Sequence, residues 1–416
     1  MALEIKTNEI DVIIIAEKST TVHHARRMMY YFFLLGFFAI FSTTISKTPV
    51  LPLFTQAMGA SDAIVGLIAV FSPLAGILFS FPIGVLSDHF GRKRLLVASG
   101  IVFLVAPFLY LMISDPFWLI PIRFFHGTAT AILGPVISAI IIERFPANKG
   151  EMLGQYTSAT LVGRTIAPLV GGAILSYFIF FPGLIEYRIV YIVAGLAAIP
   201  VFIMTLLYRE DKSVNLNILP FSVFRESFIT FFSSRKLRGT AFVDMATYFS
   251  YGAFETFLPL LLSSRGIDAF ETGIIFAVQV LIIAATKPLF GRIADRKDKR
   301  IQIVAGLIIT GCSIAIIPFA PSFAGFLAVS LLFGLGISIS TVATTAYIGD
   351  IARSEQIGAS MGAISSIMDI GQSAGPLVTG IVITAAGYMT GFFFSFLLAV
   401  AVTILFIISV IDFREK

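Results

Sequence analysis

Long apolar stretches follow one another along almost the whole chain, and each has about the twenty residues that a helix needs to cross a bilayer. We predict helices at residues 28–54, 63–86, 95–113, 117–142, 153–178, 188–208, 240–262, 271–291, 301–319, 322–349, 357–386 and 389–411. Kinks are expected at the prolines within or beside these helices: Pro49, Pro52, Pro135, Pro168 and Pro376. The sequence therefore predicts an all-α integral membrane protein with twelve transmembrane helices.

The amino-acid composition excludes an ordinary water-soluble protein. Of the 416 residues, 57% are hydrophobic and 13% are charged, and the mean hydropathy is +0.95. Soluble domains carry about 25% charged residues, because their outer surface faces water. The single cysteine, Cys312, lies in an apolar stretch, so no disulfide can form within the chain.

The positive residues are distributed unequally between the two sides of the predicted bundle. Of the 29 Lys and Arg residues, 23 lie in even-numbered loops or at the termini, whereas the odd-numbered loops hold Arg188 and Arg265. Loops rich in Lys and Arg stay in the cytoplasm. We therefore expect both termini in the cytoplasm and the protein in the plasma or inner membrane. Since topology accounts for the net charge of +5, we expect no nucleic-acid partner.

Five segments follow from these assignments. They are a cytoplasmic N-terminal segment (1–27), an N-terminal six-helix bundle (28–208), a cytoplasmic linker (209–239), a C-terminal six-helix bundle (240–411) and a cytoplasmic tail (412–416). The linker mixes charges with the apolar residues Leu219, Phe221, Phe224, Phe228, Phe231 and Phe232. This mixture predicts a helix that lies on the membrane surface.

The chain also repeats itself. At a shift of 207 residues, special residues of the first half fall on identical residues of the second: Pro52 on Pro259, Gly66 on Gly273, Gly84 on Gly291, Asp88 on Asp295 and Gly127 on Gly334. At a shift of 208 the matches are Gly154 on Gly362, Gly163 on Gly371 and Pro168 on Pro376. Two copies of a six-helix unit predict two pseudo-symmetric bundles. Transporters of this build hold substrate between the repeats, near the middle of the membrane.

The loop after the second helix, residues 84–94, reads GVLSDHFGRKR. Gly84 lets helices approach closely, and Gly91 permits a backbone turn that most residues resist. Arg92 and the two basic residues after it anchor the cytoplasmic face. The Asp88 carboxylate is suited to cap the positive N-terminal end of a neighbouring helix. That contact would exist in one of two arrangements of the halves, so it would bias a conformational switch.

This loop resembles the signature loop of the major facilitator superfamily, G-x-L-A-D-x-x-G-R-K, with Ser87 in place of the alanine. A second copy begins at Gly291 and keeps Asp295, but it has Asp298 where the pattern has its second glycine, so a less tight turn is expected there. The resemblance covers the whole chain. It implies two six-helix bundles around a central cavity that moves a small molecule by alternating access.

The same resemblance implies a partner for the acidic residue of the signature loop. Asp88 would dock at the start of helix eleven, around Gly358 and Ser360, when the cytoplasmic side is closed. A monomer in the lipid bilayer, without a cofactor, is the state that the resemblance implies.

Helix four contains Arg123, His126 and Gly127 in an arrangement similar to the R-x-x-Q-G pattern of the family, with histidine in the place of glutamine. The resemblance links this arginine to proton coupling. Helix five, residues 163–172, resembles the G-x-x-x-G-P-x-x-G-G pattern of the antiporter branches, with Ala167 in place of one glycine. This pattern favours export over import.

Small residues and prolines in helices five and eleven are predicted to act in gating: Gly163, Pro168, Gly371, Gly375 and Pro376. Small residues let membrane helices pack closely, and each proline leaves a carbonyl without its helical partner, which softens the helix.

Seven ionisable residues fall inside predicted helices, where each raises the free energy of membrane insertion by about 2.5–3.5 kcal/mol. Three cations lie in the first half and three carboxylates and one lysine in the second: Lys47, Arg123, Arg164, Asp244, Glu255, Asp369 and Lys287. One interpretation pairs Lys47 with Glu255 and Arg164 with Asp369. The other has Glu255 or Asp369 exchange a proton during transport, because burial disfavours a charged carboxylate and a nearby cation favours it. All of these except Lys287 are candidates for the substrate or proton pathway, and Asp244 and Lys287 are expected near the cytoplasmic end.

Two transport functions fit this pattern. The first is proton-coupled export of a small organic solute by alternating access. The alternative is a carrier for organic anions that uses the cluster of Lys47, Arg123 and Arg164. A non-transporting receptor or scaffold is a remote third possibility. We expect no enzyme, metal or cofactor, because no nucleophile–base pattern, metal-ligand spacing or Walker A motif occurs in the sequence.

Overall fold

The computed structural model describes residues 27–146, 148–181, 183–210, 233–351 and 357–410. Side chains are described throughout these ranges except at residue 81 and in 84–90 and 357–363. The described residues are almost entirely helical and include no β-strand. The predicted surface helix of the linker, the first 26 residues and the C-terminal tail lie outside the described residues.

Six helices make up the first half. They are α1 (Arg27–Ala57), α2 (Asp62–Phe90), α3 (Arg92–Leu109), α4 (Leu119–Arg144), α5 (Lys149–Phe178) and α6 (Ile185–Leu207). A turn at residues 46–49 interrupts α1 before its last part, Val50–Ala57.

The second half follows the same plan. It contains α7 (Arg235–Ser264), α8 (Ala269–Arg296), α9 (Lys299–Ile316) and α10 (Phe323–Ile351). The last helical stretch, Ile357–Val410, breaks at Gly387, whose φ is 81°, into α11 (357–386) and α12 (388–410). Ten stretches of the described residues are long and apolar enough to span a membrane, and one of them contains most of α11 and all of α12. The prediction of an all-α membrane protein is confirmed, and the described residues are consistent with twelve spans, since α7 has the length but carries several charges.

Equivalent contacts recur in the two halves. A Cβ at Gly163 on α5 would overlap the carbonyl oxygen of Phe37 on α1, and a Cβ at Gly371 on α11 would overlap that of Met245 on α7. Both pairs are related by the 208-residue shift of the sequence repeat. Gly375 lies in the same way against the carbonyl of Phe249. Small residues therefore bring α1 to α5 and α7 to α11, as the pseudo-symmetric bundles require.

The halves meet along two seams, α2 with α11 and α5 with α8. A Cβ at Gly66 would overlap the carbonyl of Pro376, and a Cβ at Gly273 would overlap the carbonyl of Pro168. These contacts are also equivalent under the repeat. Each predicted gating proline therefore lies against a glycine of the opposite half.

Hydroxyl groups complete both seams where α2 and α8 begin. The Thr384 Oγ1 accepts a hydrogen bond of 2.9 Å from the Ala63 backbone N–H, and the Ser176 Oγ accepts one of 3.0 Å from the Phe270 N–H. These hydroxyls satisfy N–H groups that have no partner within their own helices.

We call this side of the protein the closed face, and the side with the Lys- and Arg-rich loops the basic face.

Towards the basic face, the helices of a seam separate. A Cβ at Gly154 on α5 would meet no atom within 4 Å, and a Cβ at Gly291 on α8, about five turns from Gly273, would have only Val342 of the same half within reach, at 4.0 Å. Among the described side chains, the halves are therefore closely packed at the closed face and more loosely packed towards the basic face.

The seam can be tested with two alanine substitutions on one helix. A Cβ at Gly172 on α5 would overlap the Ala269 carbonyl, so Gly172→Ala should destabilise the closed face by about 1–3 kcal/mol. A cysteine placed at Thr44 on the cavity wall, with Cys312 replaced by alanine, should then react several times faster with an impermeant maleimide added at the closed face. Gly154→Ala is the matched control and should not change the rate. Equal rates in all variants would contradict this view of the seam.

Candidate functional site

A cavity of about 420 Å³ lies between the two halves. Its walls come from α1, α2, α4 and α5 on one side and from α7, α8, α10 and α11 on the other. The ionisable side chains that line it are Lys47, Arg123, His126, Arg164, Tyr248, Tyr251, Glu255, Lys287 and Asp369. Five of the six residues predicted to serve the substrate or proton pathway are among them.

The expected pair of Lys47 and Glu255 forms across the cavity. The Lys47 Nζ lies 2.7 Å from the Glu255 Oε2, and the Thr48 Oγ1 donates a hydrogen bond of 2.8 Å to the Glu255 Oε1. The side chains are 27% and 11% exposed, respectively. Lys47 lies in the turn that interrupts α1, and the repeat maps its neighbour Thr48 onto Glu255, so both charges reach the same depth. The pair joins one half of the protein to the other.

The expected pair of Arg164 and Asp369 does not form. Both residues line the cavity, but they are absent from the ion pairs of up to 4.0 Å among the described residues. Asp369 lies on α11 opposite Gly76 of α2, where a Cβ would be 3.2 Å from its Oδ2. Arg164 lies on α5, which belongs to the other seam. The prediction was wrong because the two residues approach the cavity from different sides.

A buried polar cluster surrounds Arg123 inside the first half. The Tyr110 ring stacks on the Tyr191 ring with centroids 4.4 Å apart, and the Tyr110 Oη lies 3.4 Å from the His126 Nδ1. Arg123 is only 3% exposed, and its Nε has no hydrogen-bond partner in the described structure. His126, which replaces the glutamine of the family pattern, thus faces a phenol. Neither tyrosine was predicted from the sequence, because an isolated Tyr in an apolar helix gives no specific signal.

Asp244 and Lys287 both lie in the half of their helix that is nearer the basic face, but their surroundings differ. Asp244 is 4% exposed, does not line the cavity, and accepts a hydrogen bond of 2.7 Å from the Thr344 Oγ1 on α10. Because α7 begins at Arg235 rather than at residue 240, Asp244 lies more than two turns inside the helix instead of at its edge. Lys287 lines the cavity rather than only the membrane edge.

The signature loop at the basic face has the predicted backbone turn. Gly91 has a φ of 85°, which a residue with a Cβ rarely adopts. The Arg92 N–H donates to the Glu210 carboxylate, and the Arg92 guanidinium pairs with Glu143. Neither acidic residue was predicted from the sequence, although Glu143 lies in the last turn of α4 and Glu210 follows the end of α6. Docking of Asp88 near α11 stays a prediction, because these side chains lie outside the described ones.

The second copy of the loop has a different turn. Asp298 has a φ of −62° and caps α9, since its carboxylate accepts a hydrogen bond of 2.9 Å from the Arg300 N–H. Hydrogen bonds from the Arg300 side chain lower the pKa of Asp298. Gly291 has one atom within reach of a Cβ, at 4.0 Å, and Asp295 is exposed. The second loop thus lacks the positive φ that Gly91 gives the first, and it is loosely packed at Gly291.

The cavity lining is positively charged. Four cations, Lys47, Arg123, Arg164 and Lys287, face two carboxylates, Glu255 and Asp369. The pair of Lys47 and Glu255 is neutral as a unit, which leaves three cations and one carboxylate. Charges that are partly removed from water interact more strongly than charges on an exposed surface. This lining is therefore suited to an anion.

Comparison with known proteins supports one family. The sequence pattern described as Major Facilitator Superfamily matches residues 32–263 and again residues 240–415. An uncharacterized MFS-type transporter of Methanocaldococcus jannaschii is 24% identical over 88% of this chain and 96% of its own length. A homologue of the multi-drug resistance efflux pump PmrA from Lactococcus lactis is 24% identical over 92% of this chain and 94% of its own.

Solved structures show the same fold. A crystal structure of a mutant of the nucleoside transporter NupG superimposes with a TM-score of 0.80 over 92% of this chain and 100% of that chain, at 11% identity.

The pair of Lys47 and Glu255 can be tested by a double-mutant cycle. Glu255→Leu leaves the Lys47 ammonium without its partner. It should lower the free energy of unfolding by about 1–3 kcal/mol, which is less than the loss of about 3–5 kcal/mol for a fully buried pair, because Lys47 is partly exposed. Lys47→Met in the same chain should restore most of the loss in thermal stability. Additive losses would show that the two side chains do not interact.

Proposed function

The chain belongs to the major facilitator superfamily, whose sequence pattern matches both of its halves, and on this premise we propose that it exports a small organic anion by alternating access. It is a membrane transporter and not an enzyme. The family and the fold account for transport, whereas the anionic substrate, the direction and the coupling are our proposal.

The observation that supports an anionic substrate is the charge of the cavity. Besides the pair of Lys47 and Glu255, the cavity is lined by three cations, Arg123, Arg164 and Lys287, and by one carboxylate, Asp369. Asp369 forms no ion pair with a cation in the described structure. Cations held close together in a region of low dielectric repel one another. An anion bound among them relieves this repulsion and replaces the hydration that the guanidinium groups lose. Arginine is also well suited to hold a carboxylate or a phosphate with two hydrogen bonds.

Two observations support export. The first is the similarity to a homologue of a multi-drug resistance efflux pump, which aligns over 92% of this chain. The second is the sequence of α5 around Pro168, which resembles the pattern of the antiporter branches. The positive-inside rule places the basic face in the cytoplasm, and we propose that the cavity of a protein in the plasma or inner membrane admits cargo from that face. We propose that a monomer carries out the cycle.

We further propose that protons drive export through Asp369. Glu255 is held by Lys47 and Thr48, whereas no ion pair or hydrogen bond of Asp369 occurs among the described residues. A carboxylate without such a partner changes its protonation more easily when its surroundings change from wet to dry. Opening and closing of the cavity would then couple proton uptake to the position of the two halves.

A second candidate function is proton-coupled export of a cationic amphipathic compound. The rings of Tyr248 and Tyr251 line the cavity close to Glu255 in sequence, and aromatic faces attract organic cations. Asp369 would supply the negative charge. This candidate requires that the compound tolerate the three unpaired cations, which makes it the weaker of the two.

Selectivity for anions can be measured with the purified protein in proteoliposomes. Counterflow of labelled mono- and dicarboxylic acids should exceed that of neutral and cationic analogues of equal size. Arg164→Gln and Lys287→Gln should each weaken the affinity for the acids by about tenfold, which corresponds to about 1.4 kcal/mol. Lys299→Gln is the control, because Lys299 pairs with Asp350 outside the cavity. A preference for cations would favour the second candidate.

Coupling through Asp369 can be separated from transport itself. Asp369→Asn should abolish accumulation driven by a pH gradient and leave exchange of substrate between the two sides of the membrane. Glu151→Gln, at an exposed position at the start of α5 and outside both copies of the signature loop, should leave both activities unchanged. If Asp369→Asn still accumulates substrate in response to the gradient, this carboxylate does not carry the proton.

A further inference from the structure

A second cavity of about 430 Å³ lies at the basic face of the first half. It is formed where α1 begins and where α4 and α6 end, so it is separate from the cavity between the halves. Three arginines line it, Arg27, Arg144 and Arg209, together with the aromatic rings of Tyr31 and Tyr208 and one carboxylate, Glu210.

The charge of this cavity favours an anion. Its one carboxylate, Glu210, already accepts a hydrogen bond from the Arg92 N–H at the start of α3. The three guanidinium groups therefore face a single acidic group whose charge is partly satisfied elsewhere. Guanidinium groups bind phosphate through paired, charge-assisted hydrogen bonds.

Arg144 is held in place before any ligand binds. Its guanidinium carbon lies 5.6 Å from the centre of the Tyr208 ring, and its Nη2 donates a hydrogen bond of 2.9 Å to the Arg209 carbonyl. Its Nη1 is 3.8 Å from the Met28 sulfur. An arginine has five N–H groups, so donors remain for a ligand. The Tyr31 hydroxyl, which donates to the Met204 carbonyl, fixes α1 against α6 at the same level.

An apolar path leads away from the cavity along α6. Leu207 lines the cavity and is 69% exposed. Exposed apolar side chains continue from it at steps of three or four residues, which places them on one face of the helix: Ile203, Ile199, Leu196 and Ile192. From residue 207 to residue 192 this stripe is about 22 Å long at a rise of about 1.5 Å per residue. It is long enough for an acyl chain in one leaflet of a hydrocarbon core of about 30 Å.

We propose that this cavity binds the phosphate headgroup of an anionic phospholipid, with an acyl chain along the α6 stripe. The cations supply the phosphate contacts, and the tyrosines suit the boundary between headgroups and hydrocarbon. Basic pockets between helices at the cytoplasmic face bind such headgroups in other membrane proteins. A free phosphate ion would use the same guanidinium groups, but it would gain nothing from the stripe. The combination of both features assigns the site to a lipid.

The test uses the full-length protein, stripped of lipid in a neutral detergent and examined by native mass spectrometry. It is titrated separately with phosphatidylglycerol, phosphatidylcholine and glycerol 3-phosphate. We expect phosphatidylglycerol to bind at least about tenfold more tightly than either of the others. The double variant Arg27→Gln/Arg209→Gln, which changes two exposed residues, should weaken that binding by about tenfold or more.

The control is Arg292→Gln/Arg296→Gln, which removes the same charge from exposed positions at the basic face of the other half. It should retain the affinity for phosphatidylglycerol. Equal losses in the two double variants would show a general effect of charge and overturn the site. Equal binding of glycerol 3-phosphate and phosphatidylglycerol would overturn the lipid assignment. An unchanged thermal unfolding temperature in the absence of lipid would show that Arg27→Gln/Arg209→Gln is folded. A further variant, Leu207→Asp, keeps all three arginines and changes the apolar stripe, and it should also weaken the binding of phosphatidylglycerol.

Discussion

Direct contact between main-chain atoms of the two halves is the interaction on which the rest of this structure depends. Lipid tails are as apolar as leucine, so burial of apolar surface does not hold membrane helices together, and close packing of small residues takes its place. Gly66 and Gly273 provide this packing against the carbonyls of Pro376 and Pro168. Because the contacts lie near the closed face, the helices can diverge towards the other face, and the space that they leave is the cavity.

The ion pair in the cavity depends on the same closed arrangement of the two halves. Lys47 and Glu255 belong to opposite halves and meet across the cavity with a separation of 2.7 Å. Separation of the halves at the closed face would draw the two side chains apart and expose both to water. The ion pair and the glycine seams would therefore break in the same movement. Opening of the closed face would therefore be cooperative, because its stability is shared among several contacts that break together.

The sequence predicted those features that are repeated or that depend on helix periodicity. Gly66, Gly273, Pro168 and Pro376 were found as landmarks of the repeat, and the structure places them in contact across the seams. The pair of Lys47 and Glu255 followed from their equal depth under the repeat.

Features that depend on which helices face one another were not predictable in this way. Arg164 and Asp369 lie at positions along their helices that suggested an ion pair, but they belong to different seams. Asp244 lies more than two turns inside α7 instead of at its edge, because Ser234 caps the helix, with its Oγ accepting from the Leu237 N–H, and so starts it five residues early. Tyr110 and Tyr191 were missed because their role comes from stacking on each other, which no spacing along the chain reveals.

The unequal charges of the two walls have a consequence for how cargo lies in the cavity. The first half contributes three cations, Lys47, Arg123 and Arg164, whereas the second half contributes both carboxylates and one cation, Lys287, so the first wall is the more positive. An electric field therefore points across the chamber, and a molecule with one ionised end is turned to lie along it. Under the proposed function, recognition would then rest on the charged head of the molecule, and its uncharged remainder would extend towards the second half. A transporter of this kind can accept a series of compounds that differ in their tails, without a separate pocket for each.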